Sequence, residues 1–285
     1  MSKVAIVTDS TANIPSEMMR GLDIHTIPLQ VIWGPDTFRD SIDIHPDEFY
    51  HRLKSAKVMP TTSQPSPAAF KTVYEDLLSK GYQIVSVHIS SKLSGTIDSA
   101  LQARQMLPGA PIEIIDSKTT SLGIGFPVLN GARAAAQGAT LQDTRILVET
   151  ACQNTGILFA VDTLEFLHRG GRIGGAAAFL GTALKLKPLL EVVDGRIEPI
   201  ERVRTMTKAL ERLLDIFEER VNHRTPVHLA CVHAQSREAA ETLLNMARSR
   251  FGIQVVSEAL ISDISPVLGT HAGPGALGLV FMAGV

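Results

Sequence analysis

The stretch HISSKLSGTIDSA, His88 to Ala100, sets five hydroxyl-bearing residues around one glycine, between an apolar run and a helix-like run. Helix starts bind anions, because first-turn N–H groups lack intrahelical acceptors and carry the positive end of the helix dipole. Ser94 stands where an N-cap is expected and Gly95 leaves the backbone open, so a carboxylate or phosphate suits this turn. Loops of the same chemistry recur: TDST with Asp9 and Ser10, PTTSQPSP with Thr62 and Ser63, Ser91 beside the first turn, and DSKTTS with Asp116 and Ser117. Each alone reads equally as a helix cap or turn. Their recurrence after successive strands favours a site.

Cations come from the second half. RGGRIGG places Arg169 and Arg172 around two glycines, where guanidinium forks suit phosphate oxygens; the alternative is a tight turn with solvated arginines. In EPIERVRT, strand alternation puts Arg202 and Arg204 on one face, either for an anion or simply for solvent. GTHAGPGALGLVF sets His271 in a rigid glycine- and proline-rich loop that presents one imidazole or serves only structure. The other histidines show no metal-ligand spacing. GGAAAFLGTALKLKPLL reads as a helix of small residues, among them Ala176, Ala177, Ala178, Gly181 and Ala183, which either pack closely or leave a channel for an apolar ligand beside Ala177, Ala178 and Phe179.

These groups need a frame to hold them. VAIVT, IVSVHI and IEII are short β-rich runs separated by amphipathic helical ones, which is βαβ grammar and predicts a largely parallel sheet over residues 1–153. Ser66-Pro67 and Thr140 mark helix starts. Over residues 154–285 the pattern changes to GILFAV, a hairpin LKPLLEVVDGRIEPIERV turning at Asp194-Gly195, VHLACVH and IQVVSEAL, with a helix whose Met206, Leu210, Leu213, Leu214 and Phe217 share one face. The fold class is α/β: two α/β domains, the first with a mostly parallel sheet and the second mixed. In open parallel sheets ligands sit beyond the carboxyl ends of the strands, where the hydroxyl loops gather.

A chain of 285 residues, 45% hydrophobic, suits a soluble globular protein, and a net charge of −2 gives no footprint for nucleic acid or anionic membrane. Cys152 and Cys231 read as reduced thiols, which favours the cytoplasm. The N-terminus lacks a signal-peptide core, and no apolar run reaches the ~18 residues of a membrane span. Neither a phosphate-loop nor a dinucleotide fingerprint is present, and no cofactor or metal is expected.

Taken together, VTDSTANIP, TTSQPSP, SSKLSGT, IIDSKTTSLGIG, LHRGGRIGG, KPLLEVVDGRIEPIERVRT and GTHAGPGALGLVF resemble, in order and along the whole chain, the DegV family of bacterial fatty-acid-binding proteins. The resemblance implies a long-chain fatty acid in a tunnel between two domains, its carboxylate held at Thr62, Ser94 with Gly95, and His271. It also implies a partner, a separate fatty acid kinase subunit that receives the bound acid and makes acyl phosphate for phospholipid synthesis, with Arg169, Arg172 and Arg204 facing it. Lys92 departs from the pattern, standing where a small residue is common. The competing reading is an acyl hydrolase with Ser94 as nucleophile and His271 as base, but the GxSxG elbow is absent and no acid is evidently paired with the histidine. A purely structural interaction protein is the third.

Overall fold

The computed structural model describes residues 3–181, 186–252 and 256–285. Strands β1 (Lys3–Asp9), β2 (Ile24–Ile27), β6 (Tyr82–His88) and β7 (Ile112–Asp116) form an all-parallel sheet in the order β2-β1-β6-β7. Successive side chains of a strand face opposite ways. Ala5 and Val7 therefore pack with Phe70, Tyr74 and Ala100 of α3 (Pro67–Ser79) and α4 (Thr96–Gln105), while Val4 and Ile6 pack with Ile124, Val128 and Val148 of α5 (Leu122–Ala136) and α6 (Leu141–Gln153). Because both faces are covered, these strands read as nearly continuous apolar runs. The helix starts follow their caps: Ser66 Oγ accepts from the Ala69 N–H and Thr140 Oγ1 from the Asp143 N–H, each at 3.2 Å.

A small antiparallel sheet, which no periodicity in the sequence marks, joins β3 (Gln30–Trp33), β4 (Asp36–Arg39) and β5 (Thr61–Ser63) in the order β4-β3-β5. One-turn α1 (Ser16–Met19) precedes it, and α2 (Pro46–Lys54) lies between its last two strands. The second large sheet contains β8 (Thr155–Ala160), β9 (Lys187–Val193), β10 (Arg196–Val203), β11 (Val227–His233), β12 (Val256–Asp263) and β13 (Leu277–Ala283), in the order β10-β9-β8-β13-β11-β12. It is mixed: β11 and β12 run parallel, the other pairs antiparallel. Leu210, Leu213 and Phe217 of α8 (Met206–Val221), with Leu243 of α9 (Arg237–Phe251), bury one face. The opposite face shares the central core with Val31 of β3, Phe49 of α2, Phe126 of α5 and Val267 of α10 (Pro266–Ala272). The short α7 (Glu165–Arg169) packs on α10. Among the described residues no helix is long and apolar enough to cross a membrane, and both cysteines are free thiols.

The β9–β10 hairpin turns where expected, with Asp194 at φ 44° and Gly195 at φ 79°. Its tip docks on the hydroxyl-rich loops of the first sheet. Gly195 O accepts from Ser90 Oγ at 3.0 Å, and the Asp194 carboxylate takes Lys92 Nζ at 2.6 Å and Lys118 Nζ at 3.2 Å. Lys92 thus clamps the hairpin.

Three expectations need correction. Among the described residues of the small-residue stretch only Gly174–Phe179 is helical, as a 3₁₀ turn, and β9 begins at Lys187; Ala183 of that stretch, like Ile253 to Val255 of the last expected strand, lies outside the described residues. Gly174 and Gly175 serve contact with β10, since a Cβ on Gly174 would strike the Ile197 carbonyl and one on Gly175 the Glu198 carboxylate. His271 sits in the last turn of α10 rather than in a loop, and the following GALGLVF contributes to β13, a central strand. Finally, β10 ends at Val203, so Arg204 does not share a strand face with Arg202.

One buried carboxylate fastens α10 to the first half of the chain. Asp40 Oδ1 accepts from the Val267 N–H at 3.0 Å, its own N–H donates to Leu29 O, and Leu29 N–H in turn donates to Ser10 Oγ. Burial pushes the Asp40 carboxyl up to about 6, against the opposing pull of the Ser10 hydroxyl and the Val267 N–H. The folded state therefore holds this proton more tightly than the unfolded chain, so stability from Asp40 is full below about pH 4 and lost as pH rises through 6. Between pH 7.5 and 5 the native protein is expected to gain about 1–1.5 kcal/mol of unfolding free energy relative to Asp40→Asn. Denaturant titration at the two pH values measures it, and a pH-independent difference would refute the assignment.

Candidate functional site

Two cavities meet at His271. The first is apolar, walled by Ile157 and Phe159 of β8, Val192 and Ile197 of the hairpin, Val232 of β11, and Leu268 of α10, with Leu93, Leu167 and Arg172 also on its wall. The second lies between Met59–Thr62, Phe166, Arg169–Gly170, Arg172 and Thr270, with the exposed side chains of Met59 and Arg169 on its outer rim. His271 and Arg172 line both.

Thr62, on edge strand β5, meets His271 across the chain, with Oγ1 and Nε2 at 2.8 Å. Burial pulls the imidazole down to about 4, and the nearby Arg172 charge adds to this, so at neutral pH the ring is neutral. Its Nδ1 is buried without a partner. If Nε2 accepts from the threonine, Nδ1–H is unspent; if Nε2 donates, the threonine proton is unspent. Either tautomer leaves one donor of the pair unspent.

The RGGR turn shapes the neck between the two cavities in two ways. Gly171 adopts φ 70°, which favours glycine, and Gly170 lies so close to the imidazole that any side chain would collide with it. Arg172 reaches back, Nε donating to Leu93 O at 3.0 Å and Nη1 to Gly170 O at 2.6 Å, which ties the turn to the residue before Ser94. Ser94 itself is not the N-cap of α4; Gly95 is. Ser94 Oγ lies 2.9 Å from Thr96 Oγ1 and accepts from Thr96 N–H at 3.3 Å, while Gly95 faces the Gln64 side chain, two residues beyond Thr62. The structure thus gathers Thr62, His271, Arg172 and the Ser94–Gly95 turn.

The remaining sequence-selected groups are arranged differently. Asp9 accepts from Thr11 N–H and Ile89 N–H and bonds His88; Ser63 donates to Gln30, and Ser91 Oγ to Asp116 at 2.6 Å. Ser10 accepts from Leu29 N–H and Ser117 from Thr119 N–H. These residues brace loops. Arg169 lines the outer cavity, exposed and paired with Glu165 at 2.5 Å, whereas Arg204 is exposed just past β10 and lines neither cavity. Ala177 and Ala178 are exposed and absent from the apolar wall; Phe179 packs on the core edge beneath Arg202, 4.7 Å from its guanidinium. The actual wall was legible only as alternation on β8 and along the hairpin, a pattern any half-buried strand shows.

For the hydrolase reading the geometry is unfavourable. His271 Nε2 engages Thr62 rather than Ser94, and no carboxylate partners Nδ1. The His271 ring is expected to keep the NMR shifts of a neutral imidazole from pH 8 to 5.5. A midpoint above 6 would contradict the burial argument.

The comparisons agree with this architecture. Residues 3–284 match the family model described as "Uncharacterised protein, DegV family". Protein DegV of Bacillus subtilis is 36% identical over 277 residues, covering 97% of this chain and 98% of that protein, and a DegV domain-containing protein of Halalkalibacterium halodurans is 37% identical over 280 residues, covering 98% of each. Among solved structures, a fatty-acid-binding DegV family protein from Thermus thermophilus superposes with TM-score 0.93 at 35% identity over 99% of both chains. The fatty acid binding protein DegV from Bacillus subtilis gives 0.88 at 36% identity over 99% of this chain and 100% of that one. With the matched fold, the near-complete span and these identities, the chain belongs to the DegV family.

Proposed function

We propose that this protein binds a long-chain fatty acid with its carboxylate at the Thr62–His271–Arg172 neck and its tail in the apolar cavity, and that it presents the head group through the outer cavity to a kinase subunit that forms acyl phosphate. The observation that carries the reading is the neck itself: an unspent donor on a neutral Thr–His pair and an adjacent guanidinium, set at one end of an apolar wall. A carboxylate needs donors and positive charge, and an alkyl chain needs the opposite. That the Thermus and Bacillus relatives are fatty-acid-binding proteins supports it. About 14 methylenes at ~0.8 kcal/mol each supply roughly 11 kcal/mol before association costs, so lipid is expected to survive purification. Native mass spectrometry of the purified protein would reveal it, and a ligand-free protein that also fails to take up added palmitate would sink the proposal.

Head-group loss is the sharper test. Thr62→Ala is expected to weaken binding by about 1.5–3 kcal/mol, read by displacement of a fluorescent fatty acid, with folding intact by circular dichroism. Ser94→Ala is expected to cost less, since its hydroxyl is shared with Thr96. Equal retention by both variants and the native protein would move the carboxylate elsewhere.

The kinase half of the proposal rests on Arg169, a solvent-facing guanidinium beside the neck. Arg169→Ala is expected to keep bound fatty acid yet support little acyl phosphate formation by a cognate kinase subunit with ATP, even at saturating lipid. Arg204→Ala, altered at a position outside both cavities, is expected to lose less. Rescue of Arg169→Ala by excess lipid would make that residue an ordinary ligand contact.

A further inference from the structure

Strand β13 is central in the second large sheet, and its Gly278 forms part of the apolar cavity wall. The residues in register with it are Phe159 of β8 on one side and Val232 of β11 on the other, and both line the same cavity. Residues directly opposite each other on paired strands point to one face of the sheet, so Phe159, Gly278 and Val232 form a row whose middle side chain is missing. Val280, the next residue of β13 on that face, is fully buried and takes no part in the wall. The gap is therefore local to position 278.

Nothing in the backbone calls for glycine there. Gly278 lies in extended strand without a positive φ, and a glycine inside a central strand weakens it by packing nothing and by its freedom in the unfolded chain. Such a residue marks a close approach, of protein or of ligand. Gly156 on β8 illustrates the first case: a Cβ there would strike the Phe281 ring, and Gly156 is not part of the cavity wall. Gly278 is the second case. The atoms nearest to an ideal Cβ at this position belong to the two flanking strands, Leu158 O and Phe159 Cβ at 3.1 Å and Val232 Cγ2 at 3.2 Å, and the missing side chain leaves cavity between them.

The width of this groove decides what can lie in it. Neighbouring strands are about 4.8 Å apart, so Phe159 and Val232 rise about 9.6 Å from each other with bare backbone between them. A methylene needs about 4 Å to the carbon atoms on either side, so one polymethylene file fits and a methyl branch does not. We propose that Gly278 is a specificity-determining residue: the tail runs along β13 over Gly278, between Phe159 and Val232, and the groove admits an unbranched acid while rejecting a methyl-branched one. This rests on the fatty-acid reading above and adds to it the path of the tail and the class of acid selected.

Palmitate and phytanate test it, because phytanate carries a methyl branch on every fourth carbon and so brings one to Gly278 wherever along the tail that residue falls. Displacement of a fluorescent fatty acid is expected to show palmitate bound at least about tenfold more tightly than phytanate. Gly278→Ala is expected to weaken palmitate several-fold and Gly278→Val by about tenfold or more, as added bulk does in a filled site. Val232→Ala, which widens the groove, is expected to lower the palmitate-to-phytanate ratio several-fold and to restore part of the palmitate binding lost in Gly278→Ala. In the unmutated protein, isotope-filtered NMR with ¹³C-palmitate is expected to give cross-peaks from tail methylenes to the Gly278 α-protons, a readout that does not depend on any variant folding. The assignment is overturned if palmitate shows cross-peaks to Leu268 but none to Gly278, if folded Gly278→Val binds palmitate as tightly as the unmutated protein, or if Val232→Ala leaves the ratio unchanged. Failure of the fatty-acid reading has a different signature, no uptake of palmitate by the unmutated protein, and it would remove this inference as well.

Discussion

The hydrogen bond between Thr62 and His271 joins positions 209 residues apart, and nearly everything else in the molecule serves to make it possible. Thr62 is placed by the pairing of β5 with β3, in register with Val31. His271 is placed by α10, whose first turn is held by Asp40 and whose approach to α2 depends on Gly269, where a Cβ would strike Tyr50. A side chain at position 170 would displace the ring. The bond therefore reports on the small sheet, two helices and a turn at once.

The same packing decides the charge of the site. An exposed imidazole would titrate near neutrality; this one is stripped of water and set beside a guanidinium, so it stays neutral and acts as a hydrogen-bonding group rather than a cation. The positive charge at the neck is Arg172, and its bonds to Leu93 O and Gly170 O hold that charge in place while stapling the hydroxyl turn to the RGGR turn. Hairpin docking works in parallel. Lys92 and Lys118 hold the Asp194 tip, but they are solvent-screened and contribute orientation more than stability, whereas the Ser90 bond to Gly195 O is buried.

Hydroxyl-rich loops raise an accounting question that spacing cannot answer. A buried polar group must find a partner, and in most of these loops it finds one a few residues away or on the next loop, as Ser91 does on Asp116 and Ser117 on Thr119. The groups of interest are those left over. His271 Nδ1 and Thr120 Oγ1 are unpartnered at the apolar cavity, and Asn13 Oδ1 is unpartnered after β1. Thr120 and Asn13 look no different in sequence from their satisfied neighbours.

From residue order alone follow the parallel sheet, the caps at Ser66 and Thr140, the Asp194-Gly195 turn, the one-sided face of α8 and the family, because each rests on local backbone chemistry or on a pattern within one element. Thr62, Ser94 and His271 were legible as candidates from the family resemblance. Tertiary structure alone decided that Arg172 rather than Arg204 stands at the neck, that Ala177 and Ala178 face solvent, and that β8, the hairpin and α10 wall the apolar cavity. It also decided that His271 rides a short helix. The physical reason is that burial and partner choice are set where the two large sheets meet, between segments one to two hundred residues apart, and no periodicity inside a segment encodes which side chains that meeting will leave unsatisfied.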